Sequence, residues 1–127
     1  MGKTLLSIIS SSMREIGVEY AFAVYEKDPI VYPYFVGEYS ETPPTTEDGL
    51  QETTIMLNGF HRGSWLELED AKEKIEKHFN RVSGHTVIAE DHSAVAIFYE
   101  GSLVVPTGDA ELKRIQINLK AKEWKVN

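Results

Sequence analysis

Residues 32 to 79 read YPYFVGEYSETPPTTEDGLQETTIMLNGFHRGSWLELEDAKEKIEKHF, and the hydrophobic period changes along them in a fixed order. Tyr32 to Tyr39 alternates as an aromatic strand, and Pro33 places it at an edge or a strand start. Ser40 to Leu50 has almost no apolar content and two consecutive prolines, which predicts an exposed loop. Gln51 to Phe60 resumes as a strand, so the two make one long β-hairpin loop, beyond the roughly two to five residues that hairpins prefer. Ser64 to Glu67 is a capping box: the Ser64 hydroxyl accepts from the helix start while Glu67 reaches back. Glu67, Glu69 and Asp70 crowd the first turns and Lys77 and Arg81 sit near the end, as the helix dipole favours. Leu68, Ala71, Ile75, Phe79 and Val82 supply the buried stripe.

The rest of the chain repeats the same grammar. Leu5, Ile8, Ile9 and Ile16 fall on one helical face, and Gly17 is placed to end that helix. Its serines weaken intrinsic helicity, so packing must hold it. Val18 to Glu26 alternates Tyr20, Phe22 and Val24 against Ala21, Ala23 and Tyr25, a strand that Asp28-Pro29 stops. Thr86–Ala89, Ala94–Tyr99 and Ile115–Ala121 read as strands. In the last, Ile115, Ile117, Leu119 and Ala121 alternate with Gln116, Asn118 and Lys120, which leaves one face solvated. Strands in hairpin order with two helical segments predict an α+β fold, a largely antiparallel sheet with two helices packed against it.

With 127 residues the chain fits a single domain, 1–127, large enough to bury a core without metals or disulfides. The absence of cysteine excludes a disulfide framework and thiolate chemistry. A net charge of −7 argues against a phosphate backbone as the main target. The apolar run near the amino terminus is too short and too broken by serine and threonine for a membrane span or a signal peptide. The expectation is a soluble, unexported chain with no membrane partner.

Four histidines, at 61, 78, 85 and 92, are the candidate metal or acid–base groups. His85 and His92 flank Glu90-Asp91, but this spacing matches no helical ligand pair. The glycines around Arg62, in Gly59-Phe60-His61-Arg62-Gly63, lack the Lys-Ser/Thr of a phosphate loop. They fit instead a bulge or tight turn before the Ser64 cap. No nucleophile elbow is present. The expectation is therefore no catalytic residue, no metal, no cofactor and no enzyme activity.

Charge distribution points elsewhere. From Asp28 to His61 there are six acids and no Lys or Arg, whereas Glu111 to Asn127 holds five bases against two acids. The plain reading is a solvated surface. The functional reading is self-association, with Glu41, Glu47, Asp48 and Glu52 of one subunit meeting Arg62, Lys120 and Lys122 of the next. Such a heterologous contact closes into a ring when the rotation permits.

The order of parts resembles the tail-completion, or tail-terminator, proteins that join heads to tails in long-tailed bacteriophages. Leu5–Ile16 matches their first helix, and Pro33-Tyr34-Phe35-Val36 their aromatic strand. Ser40-Glu41-Thr42-Pro43 through Asp48-Gly49 matches their loop, Thr53–Leu57 their next strand, and Leu68–Phe79 their amphipathic helix. The resemblance covers about two-thirds of the chain and leaves the carboxy-terminal third poorly matched. It implies a structural subunit, assembled in the host bacterial cytoplasm, that forms a ring, usually a hexamer. The ring caps the tail tube of the virion and meets the major tail tube protein and the head connector, and DNA passes through it without specific binding. Alternatives are a head-completion stopper of the connector, or a small ligand-binding or enzymatic α+β domain.

Overall fold

A computed structural model describes residues 2–41, 50–89 and 92–124. The elements in order are α1 (Lys3–Glu15), β1 (Glu19–Phe22), β2 (Tyr34–Glu41), β3 (Leu50–Arg62), α2 (Trp65–His78), β4 (His85–Ile88), β5 (Ala94–Val104) and β6 (Leu112–Trp124). The strands make a six-stranded sheet in the order β1-β2-β3-β6-β5-β4. All neighbours are antiparallel except β1 and β2, which run parallel. The α+β expectation holds, with one parallel edge added to it.

Strand alternation decides which face is covered. Odd positions of β3 and β6 (Thr53, Ile55, Leu57; Ile115, Ile117, Leu119, Ala121) are buried, and Phe35, Val95, Ile97 and Tyr99 join them. Leu5, Ile9 and Met13 from α1 and Leu68, Ala71 and Ile75 from α2 pack into the same cluster. Both helices therefore cover one face of the sheet. Fully burying a side chain such as Ile75 contributes about 1.5–3 kcal/mol.

The ends of α2 follow from its sequence. Ser64 Oγ accepts the Glu67 N–H at 3.1 Å, the first half of the expected capping box; in place of the second half, the Ser64 N–H faces His61 Nδ1 at 3.5 Å and the Glu67 carboxylate contacts His61. The helix stops at His78, with Phe79 as its C-cap. Asn80 Oδ1 then accepts from the backbone N–H groups of Val82 and Ser83, so the chain turns. Val82, expected on the buried stripe, is consequently 87% exposed. The first helix ends as expected: Gly17 sits at φ 75° and donates to the Arg14 carbonyl.

Several strand limits differ from the sequence reading. The strand expected over Val18–Glu26 is only Glu19–Phe22. Ala23 takes φ 67° and donates to the Gly37 carbonyl, which turns the chain away. Tyr25 then stacks on Tyr34 instead of continuing the ladder, ring centroids 4.2 Å apart. Gly59 is not a bulge: it pairs in regular register with Phe35 and Ile115, while Gly63 at φ 109° makes the expected turn. The irregularity lies in β5 between Tyr99 and Gly101. β6 runs through to Trp124 and supplies a central strand, and with β4 and β5 the poorly matched carboxy-terminal third supplies three of the six strands of the sheet. The exposed loop expected over Ser40–Leu50 falls largely on 42–49, outside the described residues; its flanks, Ser40–Glu41 and Leu50, belong to β2 and β3.

Candidate assembly surface

The face opposite the helices carries the even positions of β3 and β6, and their side chains form a polar ladder across the sheet. Asn58 Nδ2 donates to Glu38 Oε1 at 3.1 Å, and Asn58 Oδ1 accepts from Arg114 Nη2 at 2.8 Å. Only 6% of Asn58 is exposed, so its amide must be satisfied on both sides, and it is. The Arg114 guanidinium also lies 5.5 Å from the Phe60 ring centroid. Gln116 donates to Asn118 at 3.0 Å one turn of the pleat further on.

At the hairpin end of this face, Lys120 Nζ lies 3.5 Å from Glu52 Oε2, and Lys122 Nζ lies 5.8 Å from the Phe98 ring centroid. Arg81, Phe98, Tyr99, Glu100, Lys120 and Lys122 line a hollow of about 500 Å³. The structure thus brings Glu52, Lys120 and Lys122 together within one subunit, because β3 and β6 pair with Glu52 opposite Lys122. Glu41 sits at the end of β2, opposite Thr53. Glu47 and Asp48 lie outside the described residues. Sequence reasoning missed Arg81, Asn58 and Glu38, because Asn58 meets Arg114 only through the register of β3 on β6, which no local pattern encodes.

Arg62 stands at the other end of β3, away from the lysine pair. Its Nη1 contacts Asp109 Oδ2 at 3.2 Å. The Asp109 carboxyl is held below the usual carboxylate range, first by the Glu111 backbone N–H and then by Arg62. The Arg62 pKa is raised in turn, first by its hydrogen bond to Asp109. Tyr25, Tyr32, Tyr34 and Phe60 stack beside it, and burial raises the Tyr34 hydroxyl pKa. Arg62 therefore belongs to an aromatic corner and not to the basic patch that sequence reasoning grouped it with.

The histidines are distributed rather than convergent. His61 is buried and contacts the Glu67 carboxylate, with Tyr32 packed on its ring. His78 and His85 lie side by side with ring centroids 4.3 Å apart and planes tilted by 33°, and His92 stands apart at φ 68°. Among the described residues no group of three or more His, Asp or Glu side chains is arranged to hold a metal ion. On the helix-free face the Arg114 guanidinium and the Lys122 ammonium lie over the Phe60 and Phe98 rings, and both are groups that pair with carboxylates.

No family model matches the chain, and no curated protein matches it. Among solved structures, the fold is similar to a chain in the virion of a native gene transfer agent (GTA) particle. The TM-score is 0.64 at 9% identity, covering 89% of this chain and 84% of that one. At that identity the likeness is one of fold.

Proposed function

We propose that this protein is a structural component of a phage-like virion and, more narrowly, a tail terminator: a ring that caps the tail tube and joins it to the head. The observation that carries the reading is the fold shared with a virion chain over nearly the full length of both. The order of helix, aromatic strand, acidic hairpin, strand and capped helix supports the narrower role. In this reading the subunits form a ring, a hexamer on the tail, in contact with the major tail tube protein below and the head connector above. DNA crosses the bore without specific contacts, consistent with a net charge of −7.

The reading assigns Glu41, Glu47 and Asp48 to one side of the subunit contact and Lys120 and Lys122 to the other, with Arg81 added from the hollow that the lysines line, while Glu52 is already paired with Lys120 inside the subunit. Rim pairs of this kind contribute only about 0–1 kcal/mol each, so assembly needs a template that raises local concentration. Electron microscopy of purified protein mixed with uncapped tail tubes tests this. Rings at one tube end, with tube growth halted, are the expected result. Binding to head connectors but not to tubes would replace the terminator by a head-completion stopper, and binding to neither would sink the virion role.

A further inference from the structure

The sheet has two open edges of equal length. β1 bonds to β2 alone and β4 to β5 alone among the described strands. Following the sheet strand by strand, β4 runs in the same direction as β2, and so does β1. A rotation that carries one subunit to the next can therefore lay β4 of the first beside β1 of the second in parallel. β4 reads His85-Thr86-Val87-Ile88, with neither a Lys guard nor a proline, and Ile88 is 71% exposed. Unpaired edges of that composition are normally protected against pairing.

The register makes the match quantitative. Ala21 lies level with Gln116 on β6, through Val36 and Asn58. Thr86 lies level with Lys122 through Ala96, and Ile88 with Trp124 through Ala94. All three side chains belong to the helix-free face, and a slip of one residue would put paired side chains on opposite faces. Laying Ala21 beside Thr86 or beside Ile88 therefore offsets successive subunits by six positions (116 to 122) or eight (116 to 124). At about 3.3 Å per residue these are offsets of about 20 and 26 Å. Six strands at about 4.8 Å span about 29 Å, so the strands would tilt by about 35° or 43°. Closed barrels tilt their strands by about 35–45°.

We infer that the β4 edge of one copy pairs in parallel with the β1 edge of the next, joining the sheets of successive subunits into one closed wall. The inference rests on the ring reading for closure, but the edge contact itself can be tested alone. On the helix side the pairing sets the exposed edge of Phe22 against Val87 in the six-position register, or against Ala89 in the eight-position one. On the helix-free side it covers Thr86 and Ile88.

The chain has no cysteine, so introduced pairs report new contacts cleanly. Purified Ala21→Cys/Thr86→Cys and Ala21→Cys/Ile88→Cys would be treated with a short bismaleimide at about millimolar protein. The pairing predicts a ladder of dimers and higher species in one of them, at least tenfold faster than in an Ala21→Cys/Leu66→Cys control. Each single variant stops at dimers. A lysine at the β4 position that the faster pair leaves free, Ile88→Lys in the first or Thr86→Lys in the second, should slow the ladder at least tenfold, with circular dichroism showing an unchanged fold. Ladders no faster than the control in both pairs overturn the inference. If that happens while rings form on tail tubes, the terminator reading survives; a fast ladder with uncapped tubes overturns that reading and leaves the edge contact standing.

Discussion

The ring of Phe35 occupies the space that a side chain at position 59 would need. The two residues are register partners across β2 and β3, and a Cβ on Gly59 would lie 2.7 Å from Phe35 Cζ. The same device recurs where Tyr20 covers Gly37 at the β1 edge, and burial there pushes the Tyr20 hydroxyl pKa up to about 12. An aromatic ring laid on a strand glycine restores the contact that the missing side chain leaves open.

Gly59→Ala should therefore destabilise the fold by about 1–3 kcal/mol, the usual cost of overpacking a core. Phe35→Leu in the same chain should recover part of that loss, so the two effects will not add. Urea unfolding of the two singles and the double decides it. Strict additivity would show that the ring and the glycine are not coupled.

Ser64→Ala removes the acceptor for the Glu67 N–H at the start of α2. The expected loss is about 1 kcal/mol, with Ser64→Asp close to the parent. Thermal unfolding monitored at the helix signal would show it. An unchanged midpoint for the alanine variant would mean that the His61–Glu67 contact alone holds the helix start.

His78 titrates below its ordinary value, first because it is partly buried and second because His85 faces it; Glu15 on α1 acts in the opposite sense. The unfolded chain then binds the proton more readily than the folded one. Stability should be complete above the unfolded value, about pH 6.5, and decline as pH falls from there toward the depressed folded value. His78→Gln should flatten urea midpoints between pH 7.5 and 5. A slope in that window as steep as the parent's would place the effect at another group.

Charge reversal at Lys120 and Lys122 tests the assembly surface. The Lys120–Glu52 pair is half exposed, so Lys120→Glu/Lys122→Glu should change stability by less than about 1 kcal/mol while impairing the joining of heads to tails. Glu52→Gln is the control, since it breaks the internal pair and leaves both lysines. Normal joining by the double variant at physiological salt would rule out a charge-complementary contact.

The sequence by itself determined the parts whose causes are local. The Ser64 cap, the Gly17 stop and the alternation of Ile115 to Ala121 each depend on neighbours within a few residues, and each stands where the pattern put it. Where the cause was a distant partner, the pattern misled. Tyr25 left the strand because Tyr34 offered a stacking surface, and Gly59 stayed in regular register because Phe35 filled the gap above it. The candidate surface divides the same way: composition separated acidic from basic segments, but only the pairing of β3 with β6 set Glu52 against Lys120 and sent Arg62 to Asp109. Strand order and register depend on which segments meet after long loops close, and the energies that select them come from contacts between residues far apart in the chain.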